Sequence, residues 1–154
     1  MDLSSILTPD AIRVSMNTSS KKRLLQDMAD IAEQVHGLPA QAVYEAMQER
    51  ESLGPTGMGG GVAIPHARLP QLDRVVGLFA SLARPVDFEA VDRRPVDLVF
   101  VLLAPAEAGA EHLRALARVS RTLRDASICE KLRSATDAAA LYALMTDESA
   151  SQAA

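Results

Sequence analysis

Tryptophan is absent from this chain, cysteine occurs once, at Cys129, and aromatic residues make up only 3% of the sequence. Each shortage closes a class of function. A lone cysteine forms no internal bridge, so a disulfide scaffold is ruled out and a reducing cytoplasm is the expected compartment. So few aromatic rings offer no platform for stacking nucleobases. No apolar run reaches membrane-spanning length or precedes a signal-type cleavage site, so no membrane insertion is expected. Positive charge is short as well: 16 Lys and Arg stand against 20 Asp and Glu, a formal net charge of −4. The densest basic cluster, Lys21-Lys22-Arg23, falls far short of a nucleic-acid footprint. Partners are therefore expected among proteins or small molecules, with no nucleic acid.

What is present fits one domain of 154 residues. Leu24, Met28, Ile31 and Val35 recur at helical spacing, with Ser19 or Ser20 as start signal and Gly37 as stop. Lys21 and Lys22 suit the positive end of that helix dipole poorly. A second helix after Pro39 turns Val43, Ala46 and Met47 inward and ends near Arg50-Glu51. Glycine and proline between 54 and 61 then break the pattern. Val62-Ala63-Ile64 reads as a short strand ending at His66, followed by strands over 74–82 and 96–103. The last of these, "VDLVFVLLAP", is apolar enough to be buried on both faces. Leu113, Leu116, Ala117, Ser120 and Leu123 share one helical face, and a short helix through Ile128 and Leu132 follows. Thr136 opens a final helix that buries Leu141, Leu144 and Met145. The tail from about residue 147 lacks periodicity and is expected to be loose. This order predicts an α/β single-domain sandwich, a central mixed β-sheet flanked by helices.

The stretch "GMGGGVAIPHARLP" is unlike ordinary core. Its glycines have neither dinucleotide-fingerprint spacing nor a following Lys-Ser or Lys-Thr pair, which argues against a nucleotide loop. The histidines, His36, His66 and His112, are too scattered in sequence to suggest a zinc site, so neither metal nor cofactor is expected. His36 sits at a helix end, where a cation is mildly favourable. His66 and His112 each follow an apolar strand run, where α/β sheets tend to place their sites. His112 also opens a helix whose free N–H groups favour an anion. On residues alone two readings stay open, a solvated loop-end histidine or a reactive group. A hydrolase using His66 as base lacks a Ser, Cys or metal partner at motif spacing.

"TGMGGGVAIPHARL", with Arg50-Glu51 ahead of it, resembles the active-site signature of mannitol/fructose-type enzyme IIA domains of the phosphoenolpyruvate-dependent phosphotransferase system. "VDRRPVDLVFVLLAP" and "EHLRALARVSRTLRD" follow in the family's order, and the likeness runs from "LSSILTPDAI" to "ALYALMTD". It is most similar to the stand-alone nitrogen-regulatory branch; Ala67 replaces a glycine often seen after the histidine. The resemblance implies that His66 accepts a phosphoryl group, with tele-phosphohistidine as the product, from an HPr-like carrier, NPr. It makes His112 the second active-site histidine, stabilising the phosphoryl group, and Arg50 a supporting residue. It also implies a regulatory phosphoprotein whose targets depend on its phosphorylation state. The alternative is a sugar-specific IIA passing phosphate to a IIB domain.

Overall fold

The computed structural model describes residues 2–147; the loose tail expected from about residue 147 lies essentially outside them. Two short 3-10 turns lead into β1 (Ile12–Met16), then α1 (Lys21–His36) and α2 (Ala40–Ser52). Next come β2 (Gly57–Gly59), β3 (Val62–Ala63), β4 (His66–Leu69), β5 (Val76–Val86) and β6 (Val96–Pro105). Helices α3 (Ala110–Arg124), α4 (Ala126–Ser134) and α5 (Ala138–Thr146) complete the order. The strands form one six-stranded sheet, β1-β5-β6-β3-β2, with β4 also paired to β6. β1 is parallel to β5, and β3 and β4 are parallel to β6, while β5–β6 and β2–β3 are antiparallel. The mixed α/β sandwich is the predicted one.

Strands β5 and β6 supply the core, with Leu78, Phe79, Leu98, Phe100, Leu102 and Leu103 fully enclosed. Burial of this kind stabilises each large apolar side chain by roughly 1.5–3 kcal/mol. Local signals set the helix ends. The Ser20 hydroxyl accepts the Arg23 N–H at 3.1 Å, and Gly37 closes α1 in the left-handed region at φ 68°. At the start of α2, where Pro39 offers no side-chain cap, Glu33 of α1 accepts the Ala40 N–H at 3.0 Å.

The structure corrects several expectations. β1 precedes the helices, in a stretch to which the sequence reading assigned no element. β5 starts at Val76 and continues to Val86, beyond the predicted 74–82. The last helix is capped by Asp137, whose carboxylate accepts the Ala140 N–H at 2.8 Å, one residue after Thr136. The inward face of α3 runs through His112, Ala115, Val119, Thr122 and Leu123, and Leu113 is 63% exposed. A polar His112 in the inward stripe turned the apparent apolar face by about 100°, one residue's rotation.

Candidate active site

His66 begins β4 instead of ending β3; Ile64 and Pro65 interrupt the two short strands. The carbonyls of Gly61, Pro65 and Leu69 accept the N–H groups of Leu98, Leu102 and Ala106. By the strand's alternation, the carbonyl of Ile64 faces the other edge. There it accepts the Nδ1–H of His66 at 2.8 Å. That bond assigns the proton to Nδ1 and leaves Nε2 unprotonated, with its lone pair turned outward. Arg50, in the last turn of α2, donates its Nε–H to that Nε2 at 3.2 Å and its Nη1–H to the Gly54 carbonyl at 2.9 Å.

His112 reaches the same place from the opposite direction. β6 runs beside β4, with His66 level with Leu102, and the following turn brings α3 back over the strand ends. The two imidazole centroids lie 5.8 Å apart at 50°. His112 is 6% exposed, and its Nδ1 is enclosed without a hydrogen-bond partner. Gly109, not His112, is the N-cap of α3. The sheet and helices thus bring together all three residues singled out in the sequence.

Electrostatics keep both rings neutral. Burial pulls His66 below its usual 6.5; the Ile64 bond opposes this, the Arg50 charge adds to it and Glu51 opposes it. Burial also lowers His112, followed by the neighbouring His66 and Arg68. A neutral, half-buried imidazole with one unprotonated nitrogen is a nucleophile. His36 stands apart, at the end of α1 beside Gly77, Arg74 and Asp10. Among the described residues no group of three or more His, Cys, Asp or Glu could hold a metal ion.

Sequence reasoning missed the network that holds Glu51, next to Arg50 in the chain. The buried Glu51 carboxylate accepts the Thr56 N–H at 3.1 Å and the Thr56 hydroxyl, and pairs with Lys21 at 2.9 Å. Lys21 also lies 4.6 Å from the centre of the Phe88 ring. The signal was available: a lysine ill-placed against the dipole of α1 has its partner elsewhere. Arg68 was missed too; it alternates onto the exposed side of β4 with His66.

The glycine turn serves the hairpin. The Gly60 N–H donates to Asp92 at 2.9 Å, and its carbonyl accepts from Arg133 at 2.7 Å. A Cβ on Gly61, at φ 79°, would stand 2.6 Å from the Arg133 guanidinium. Since β3 pairs at Leu98 and His66 at Leu102, this turn lies roughly 13 Å along the sheet from His66. The Gly60 amide is therefore engaged away from His66.

Residues 5–148 match the family described as phosphoenolpyruvate-dependent sugar phosphotransferase system, EIIA 2. Fold and sequence agree on the class: the chain belongs to the EIIA type 2 family. Within it, the similarity is to the nitrogen-regulatory branch. The chain is 50% identical over 145 residues to the nitrogen regulatory protein of Bradyrhizobium diazoefficiens, covering 94% of this chain and 95% of that one. It is 42% identical over 148 residues to the nitrogen regulatory protein of Escherichia coli, covering 96% and 91%. The crystal structure of nitrogen regulatory protein IIA-Ntr from Neisseria meningitidis superposes with TM-score 0.89 at 37% identity, covering 94% and 99%. Mannitol IIA from Escherichia coli, at 20% identity, shares the fold with TM-score 0.77, covering 90% and 97%.

Proposed function

We propose that His66 is the phosphoryl acceptor of a nitrogen-branch phosphocarrier, taking its phosphoryl group from a phosphohistidine on an HPr-like carrier, NPr. The family match over residues 5–148 supports reading the chain as one such domain. The observation that carries the reading is the unprotonated Nε2 of His66, held toward Arg50 by the Ile64 bond on the opposite nitrogen.

In the transfer, the Nε2 lone pair forms a bond to phosphorus as the phosphorus–nitrogen bond to the carrier breaks. The carrier imidazole leaves with that electron pair. Positive charge developing on the His66 ring is dispersed through Nδ1–H to the Ile64 carbonyl. Arg50 gives up its bond to Nε2 and follows the phosphoryl oxygens, and His112 donates a ring N–H to them. Such a loose transition state needs positioning and anion stabilisation more than covalent machinery. Arg50 and His112 are the groups that supply it.

Phosphorylation adds charge at the protein surface and so alters which target proteins bind, a regulatory role the nitrogen-branch relatives support over sugar delivery to a IIB domain. The setting is cytoplasmic; no helix of the described residues is long and apolar enough to cross a membrane. The test is to incubate the chain with phosphoenolpyruvate, an enzyme I and an HPr-like carrier. An acid-labile phosphoryl group absent from His66→Ala supports the reading. Labelling by ATP alone, or an acid-stable product, would sink it.

A further inference from the structure

One face of α3 is left without an assignment by the phosphoryl site. Arg114, Arg118, Arg121 and Arg124 fall within about 120° of the helix circumference and span about 15 Å along it. No Asp or Glu interrupts the sequence between Arg114 and Arg124. Among the described residues, none of these guanidinium groups has a hydrogen-bond or ion-pair partner. Arg118 is half-buried, and its Nε is enclosed with no partner, a buried donor that lacks an acceptor. At the far end, Arg121 and Arg124 line an open hollow of about 740 Å³ with Ala117, Ser120 and Asp125. The Asp125 carboxylate is taken up by the Ser127 and Ile128 N–H groups at the start of α4. Glu111, in the first turn, is the nearest acidic residue on the N-terminal side of the ridge, and Asp125 follows it directly on the C-terminal side.

Unpaired arginines concentrated on one ridge of a chain with net charge −4 call for a compact anionic partner. An extended duplex carries a charge every ~1.7 Å and would outrun four arginines on a ridge about 15 Å long. Carboxylates spaced along a peptide fit better, because each can take an arginine fork in a bidentate pair. The ridge faces away from the inward side of α3: Arg114 is about 200° around the helix from His112, whose ring packs on His66.

We propose that this face of α3 docks an acidic segment of a protein partner. The probe is a fluorescein-labelled oligoglutamate peptide, followed by anisotropy at low salt. The unphosphorylated protein should bind it, with affinity falling as salt rises. Arg121→Gln with Arg124→Gln, both exposed, should weaken binding by about tenfold, the loss expected for two exposed charge contacts. Arg118→Lys, which keeps charge but loses the fork, should fall between. The double variant should still take phosphate on His66 at the wild-type rate. Equal affinity in wild type and double variant, or tighter capture of a single-stranded DNA oligonucleotide than of the peptide, overturns the docking.

Discussion

The Nε of Arg50 lies 3.2 Å from the Nε2 of His66, on the nitrogen that the Ile64 bond leaves without a proton. A fixed cation at that distance opposes a second proton on the ring and waits where phosphoryl oxygens would arrive. Removing it therefore has two separable effects. In Arg50→Gln the His66 pKa should rise, read by an NMR titration of the ring carbons. Phosphoryl uptake should slow by roughly 10–100-fold, the worth of one charge-assisted bond in the transition state. An unmoved titration would mean that the guanidinium does not face the ring in solution.

His112→Ala should slow exchange with the phosphorylated carrier by a similar ~10–100-fold while the label still maps to His66. His112→Gln, which retains an N–H donor, should be milder. Rapid-quench transfer in both directions is the measurement. Wild-type rates in the alanine variant would leave His112 as packing alone.

Burial is the leading cause that lowers His36, His66 and His112 below 6.5. Each then binds fewer protons folded than unfolded, so stability rises with pH across the window between the lowered values and about 6.5. Urea midpoints should be flat above neutrality and decline as pH falls below about 6.5, before carboxylates titrate. Replacing His66 with Gln should reduce the slope. A midpoint that stays level down to pH 5 would contradict this account.

Gly61→Ala tests the separation of hairpin and site. Its Cβ would meet Arg133 at 2.6 Å and Asp97 at 3.0 Å, from a backbone at φ 79°. The cost should be roughly 1–3 kcal/mol by chemical denaturation. Phosphorylation of the folded fraction should proceed at the wild-type rate, and a slowed rate would tie the turn to the chemistry after all.

Much of this was legible in the sequence where local chemistry decides the outcome. Ser20 and Gly37 bound α1 as their side-chain and backbone preferences require, and the apolar run of β6 marked the buried centre. Elements that exist only through distant pairing were not legible. β4 has few residues and a charged Arg68, and forms because β6 offers it an edge. β1 carries Ser15 at positive φ and only half-buried neighbours, and owes its place to β5. For the site, motif resemblance brought His66, His112 and Arg50 together on paper. The tautomer of His66 could not be read that way, because it depends on which edge a single carbonyl faces.

That carbonyl has a further consequence. Ile64 is buried and its own N–H is taken by the Thr56 carbonyl, so without a donor its C=O would be an enclosed acceptor left unpaired. Here the reactive residue's own imidazole meets it, so one hydrogen bond both orients the nucleophile and satisfies the backbone. A phosphoryl group on Nε2 would leave that bond in place through every cycle of charging and discharge. A group on Nδ1 would displace it and strand the carbonyl each time the protein was loaded.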